Sequence, residues 1–147
     1  MKAILPQPAV TQISVSPRRW RLDEELVITS LGWTLVVPKG FVCDGASVPR
    51  LAEPLIDPFD LSVSAPFVHD WLYESGGQIC ASQAGYPTAA CTEWFTREEA
   101  DDFLYDIAAQ EGVWWWRRAL ARKIVRWFGA RNWSTPPSRL RAGQTAS

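Results

Sequence analysis

The stretch "ELVITSLGWTLVVP", residues 25–38, decides the start of the fold. Two runs of β-branched and aromatic residues, "ELVITS" and "WTLVVP", flank "LGW", whose glycine suits a turn. The reading predicts an antiparallel β-hairpin or small meander between Trp20 and Val42. Downstream, "PKGFVCDGASVPRLAEPLIDPFD" at 38–60 scatters Pro, Gly and Asp among apolar residues and reads as an ordered loop with short helical turns.

Three helices are expected after that loop. The first opens at Ser64, whose hydroxyl can cap it, accepts Pro66 in its first turn, and runs through "FVHDWLY" at 67–73 towards Gly76. Residues 76–95, rich in small and polar side chains, read as a long inserted loop. The second helix starts at "TREE", 96–99, a capping box with Thr96 as N-cap and Glu99 reaching back. Its apolar stripe is Ala100, Phe103, Leu104, Ile107 and Ala108, with Asp101 at the edge. The third is "VWWWRRALARKIVRWFG", 113–129, where Val113, Trp116, Leu120, Ile124 and Trp127 would form one face and Arg118, Arg122 and Arg126 the other. The expected class is therefore α+β: a hairpin or meander followed by a three-helix core. One globular domain would span 1–134, and 135–147 has the composition of a disordered tail.

Composition narrows the classes. The chain has 147 residues, 47% of them hydrophobic, and a net charge of -1. No apolar run of about 18 residues suggests a membrane span, and the N-terminus breaks at Pro6 and Pro8 before an export signal could form. Three cysteines are too few for a secreted disulfide scaffold, although Cys80 and Cys91 flank a loop that a bridge could close. Residues 1–111 carry a charge of -9, whereas 112–147 carry +8 and no acidic residue. That polarity suits internal ion pairing, an anionic membrane surface or nucleic acid. No nucleic-acid-binding motif accompanies it.

The candidate chemistry centres on His69, the lone histidine. If the first two helices pack antiparallel, His69 meets Asp101, and a carboxylate on one ring nitrogen leaves the other as a general base of defined tautomer. A core histidine bonded to a structural Asp is the competing reading, and Arg97, four residues before Asp101, is a competing partner for that carboxylate. Asp44 in "CDGAS", with Gly45 behind it, and Asp70 beside His69 offer hard oxygen ligands of the kind calcium takes. An Asx-turn for Asp44 and an ion pair with arginine for Asp70 are the alternatives. Ser47 lacks the nucleophile elbow of a serine hydrolase. On the third helix, Trp114, Trp115, Arg118, Arg122 and Arg126 could contact a membrane or a partner, while the apolar face could equally be core.

The runs "VPKGFVCDGASVPR", "APFVHDWLY", "REEADDFLYDI" and "VRWFG" together resemble a family of small uncharacterised proteins common in tailed phages and prophages, in order over roughly residues 33 to 133. More distantly, their order is similar to that of the prokaryotic branch of phospholipase A2. That second resemblance implies a phospholipase A2-like core, His69 as the base acting on water, Asp101 orienting it and Tyr73 supporting Asp101. It also implies calcium held by Asp44, the Gly45 carbonyl and Asp70. Two functions follow as expectations. One is a calcium-dependent hydrolase of a lipid or envelope ester. The other is a non-enzymatic phage virion or assembly protein that contacts other phage structural proteins and whose His-Asp network is structural. Either would work in the host cytoplasm or the virion.

Overall fold

The computed structural model describes residues 8–15, 18–44, 62, 64–83 and 92–134. The first strands are β1 (Val10–Val15), β2 (Arg18–Leu22), β3 (Leu26–Ser30), β4 (Trp33–Val37) and β5 (Val42–Cys43). Helix α1 (Ala65–Ser75) follows, then β6 (Gln78–Gln83), β7 (Thr92–Trp94), α2 (Arg97–Gln110) and α3 (Trp115–Phe128), which ends in a 3-10 turn over Gly129–Asn132. Two antiparallel sheets result, one ordered β1-β2-β5 and the other β3-β4-β6-β7.

The hairpin forms where residues 25–38 predict it. Leu26, Ile28 and Ser30 point inward on β3 while Val27 and Thr29 are exposed, which is the period-two pattern of a half-buried strand. Ser30 pairs with Trp33 across a two-residue turn whose Leu31 and Gly32 have φ of 49° and 79°. Both central residues need positive φ in this kind of hairpin turn, and Leu is a poor choice there. Leu31 is also half-exposed. Replacing it with Asn should therefore raise stability by about 0.5–1 kcal/mol, read from the urea midpoint at constant slope. An unchanged or lowered midpoint would show that the Leu31 side chain stabilises by packing.

The expected hairpin or meander followed by a three-helix, phospholipase-like core is overturned. The architecture is α+β, but the strands form two sheets and the chain returns to β-structure between the first two helices. The stretch 76–95, read as an inserted loop, supplies β6 and β7, which extend the hairpin sheet. Its alternation is carried by only two inward side chains, Ile79 and Ala81, too weak a pattern to stand out among small polar residues. β6 is fixed by its partner instead: Ala81 lies opposite Leu35, and Cys80 opposite Val36.

The main core gathers Leu22, Leu35, Val37 and Ile79 from the sheets, Phe67, Val68 and Leu72 from α1, and Phe103 and Ile107 from α2. α1 packs on α2, and α2 on α3. Ser64 sits at the N-cap of α1, but its hydroxyl makes no capping bond. The Ser62 hydroxyl accepts from the Ala65 N–H at 3.0 Å, and Glu111 accepts from the Ser64 N–H at 3.1 Å and the Ser62 hydroxyl at 2.6 Å. The α2 capping box forms as read, with both reciprocal bonds present.

The predicted stripe of α3 forms only in part: Ile124 is buried, and Val113 and Leu120 pack against it and Ala121. Ala121, Ile124 and Val125 turn inward, whereas Trp116 is 50% and Trp127 72% exposed. Cys80 is an exposed free thiol, and its proposed partner Cys91 lies outside the described residues, as does the 135–147 tail.

Candidate functional site

His69 and Tyr73 stand four residues apart on α1, so both side chains point from one face towards α2. The Thr96 capping box sets the phase of α2 and turns Asp101 inward, where it is fully buried. His69 Nε2 lies 2.9 Å from Asp101 Oδ1, and the Tyr73 hydroxyl donates to the same oxygen at 2.6 Å. The two rings stack 4.2 Å apart with a 35° tilt. Because an ionised carboxylate only accepts, His69 carries a proton on Nε2.

A third donor arrives from α3. Arg126 Nε donates to Asp101 Oδ2 at 3.2 Å, and Arg126 Nη2 also reaches the Glu98 carbonyl at 3.1 Å. Arg97, the expected competitor, turns elsewhere and donates to the Arg126 carbonyl at 2.9 Å. Arg118 and Arg122 likewise do not project away from the fold. Both lie over the Tyr105 ring, at 4.9 and 4.2 Å, and Arg122 is 3.6 Å from Asp102. The three arginines thus fasten α3 to α2, while Trp114 and Trp115 are exposed.

The other ring nitrogen of His69, Nδ1, is 3.8 Å from Asp70 Oδ1, too far for a direct hydrogen bond. Asp70 Oδ2 accepts the Cys43 thiol at 3.0 Å. Asp44, Asp70, Tyr73 and Glu74 all line a pocket of about 200 Å³. The oxygen-rich wall suits a hard cation in donor chemistry. Among the described residues, however, no three His, Cys, Asp or Glu gather closely enough to hold a metal ion. Gly45 and Ser47 lie outside the described residues.

Charge in the cluster follows from this geometry. Burial acts to lower the His69 pKa, but the hydrogen bond to Asp101 and the proximity of Asp70 outweigh it, leaving the pKa above the ordinary value. Burial acts to raise the Asp101 pKa, and the bonds from His69, Tyr73 and Arg126 overcome that, holding it below the usual carboxylate range. Burial, with Asp101 close by, pushes the Tyr73 pKa upward, so it remains a neutral donor.

Two contributors escaped sequence reasoning. The sequence pattern puts Arg126 on the outward side of its helix, whereas it reaches Asp101 across 25 residues of sequence. Gly129 makes room for Tyr73: a Cβ there would sit 2.8 Å from the tyrosine hydroxyl. The glycine of "FG" at 128–129, directly after the last apolar residue of the helix, is the available signal. Trp133 then packs edge-on against Tyr73 at 5.1 Å, and the Ser134 N–H donates to the Tyr73 carbonyl at 2.9 Å.

No curated protein and no solved structure matches the chain. The family described as "Protein of unknown function (DUF1353)" matches residues 20–125, which take in the end of β2, β3 to β7, the His69–Asp101 pair and most of α3. The chain belongs to the DUF1353 family.

Proposed function

We propose that the protein is a hydrolase in which His69 activates water against an ester. One observation carries the reading: His69 Nε2 and the Tyr73 hydroxyl share Asp101 Oδ1, so the imidazole is oriented with Nδ1 turned towards Asp70 and the adjoining pocket wall. In the reaction, neutral His69 takes a proton from water at Nδ1 as the water oxygen attacks the ester carbonyl. The imidazolium so formed, stabilised by Asp101, returns that proton to the departing alkoxide, which regenerates neutral His69. Asp101 stays ionised throughout, and Tyr73 keeps its carboxylate in place. Calcium, held in this proposal by Asp44, the Gly45 carbonyl and Asp70, would polarise the ester carbonyl when bound.

The raised His69 pKa sets a pH requirement. Only the neutral ring can accept the proton, so activity should climb as pH rises through the folded His69 pKa and then level off. The assay is fatty-acid release from phosphatidylglycerol vesicles with and without calcium, between about pH 5 and 9. His69→Gln, which can still donate towards Asp101, should lower turnover by at least about a hundredfold. A profile that falls with pH, or a folded His69→Gln protein as active as wild type, would remove His69 from the chemistry.

A second reading has its own observation. His69 is only 2% exposed, and Arg126 closes the far oxygen of Asp101. In that case the network is an internal clamp, and the protein is a non-enzymatic virion or assembly component of the phage type its motifs resemble. Complete inactivity on esters, together with a strongly destabilised Asp101 variant, favours this reading.

A further inference from the structure

The outward face of α3 is built from residues that take no part in the buried core. At about 100° per residue, Trp115, Trp116, Lys123 and Trp127 fall within an arc of about 120°. That arc lies opposite the buried Ala121, Ile124 and Val125. Trp115 is 66%, Trp116 50% and Trp127 72% exposed, and Lys123 is exposed as well. From Trp116 to Trp127 the face runs about 16 Å. A large indole carries some 150–250 Å² of surface, so three together exceed the scattered apolar exposure usual for a water-facing helix.

Charge identifies the occupant. Residues 115–132 contain six Arg or Lys and no acidic residue. Arg118, Arg122 and Arg126 are engaged with α2. Lys123 has no carboxylate partner among the described residues, and it stands between the two outer tryptophans. Indoles with a polar N–H and a lysine on one short helical face suit a membrane–water interface, where the rings sit at headgroup depth and the ammonium meets lipid phosphate. No described helix is long and apolar enough to cross a bilayer, so the contact would lie in the plane of the surface. We propose that the Trp115–Trp116–Lys123–Trp127 face of α3 docks the protein onto anionic phospholipid bilayers.

The test is co-sedimentation with vesicles of non-hydrolysable ether-linked lipids in EDTA, which separates binding from any ester chemistry and from calcium. The protein should bind phosphatidylcholine vesicles containing phosphatidylglycerol and bind pure phosphatidylcholine far more weakly. The double variant Trp116→Ala/Trp127→Ala should lose binding by roughly tenfold or more with an unchanged melting temperature, because both indoles are exposed. Lys123→Glu should lose roughly fivefold on the anionic vesicles and little on the neutral ones. Three results would overturn the proposal: no sedimentation with anionic vesicles, a double variant that binds like wild type, or concentration-dependent self-association through this face without vesicle binding. Binding to ether lipids with no hydrolysis of ester lipids would sustain the docking surface and retire the catalytic reading.

Discussion

Replacing Asp101 with Asn should destabilise the protein by about 3–5 kcal/mol, the cost of removing one partner from a buried charged cluster. The carboxylate accepts from His69, Tyr73 and Arg126, one donor from each of two helices plus a second from α1. An amide oxygen can still accept from His69 or Tyr73, but the amide N–H groups would then face Arg126, donor against donor. Asp102 is the internal control. It also faces Arg126 and Arg122, but its side chain is 46% exposed, so Asp102→Asn should cost less than about 1 kcal/mol. At this chain length the difference corresponds to a melting temperature lower by roughly 10 °C for the Asp101 variant and nearly unchanged for the Asp102 variant. Equal losses at both positions would mean that Asp101 is not the centre of the clamp.

The pH dependence of that loss has a defined sign. Asp101 is held below its ordinary pKa, so its stabilisation is present above the ordinary carboxylate range and disappears as pH falls through its folded value. His69 is held above its ordinary pKa, so its contribution is complete below about pH 6.5 and disappears as pH rises through its folded value. The gap between wild type and Asp101→Asn should therefore be widest on the mildly acidic side of neutrality and should narrow in both directions. Denaturant melts across that range measure it directly. A gap that keeps widening into alkali would contradict a protonated His69 bound to Asp101.

How much of this was legible in the sequence depended on how local each signal was. The 25–38 hairpin and the Thr96–Glu99 capping box rest on neighbouring residues, and both form as read. His69 and Asp101 meet because each helix's phase is set by local chemistry, whereas on the cluster's third helix two of the five residues read as its inner face, Trp116 and Trp127, face outward. On α3 Ile124 turns inward as its spacing predicts, but Trp116 and Trp127 give way to Ala121 and Val125, where a small residue lets the helix come close. That rotation carries Arg126 to Asp101, a contact no local pattern encodes. Strand β6 was missed for the same reason. Its place is set by pairing with β4, some 45 residues earlier in the chain.

Gly77 tests the junction on which the helix cluster and the second sheet depend. It follows the left-handed cap Gly76, where α1 ends, and its own φ is +96°. Its N–H donates to the Leu72 carbonyl at 2.7 Å, and its carbonyl accepts from the Phe95 N–H at 2.8 Å, which ties the end of α1 to the entry of α2. A Cβ at this position would lie 1.9 Å from the Phe95 carbonyl oxygen, a backbone atom that cannot swing aside. Gly32 supplies the comparison, because its φ of +79° is similarly unfavourable for a side chain while the space around it is open. Gly32→Ala should therefore cost only the backbone penalty, about 1 kcal/mol. Gly77→Ala adds displacement of Phe95, whose ring meets Trp33 and Phe103 edge-on at 5.2 and 5.1 Å, and should cost at least about 4 kcal/mol or prevent folding. Expression as soluble protein and the urea midpoint of each variant, measured side by side, decide the point. If Gly77→Ala is no worse than Gly32→Ala, the α1–β6 turn adapts freely, and the cap does not fix where His69 and Tyr73 stand against α2.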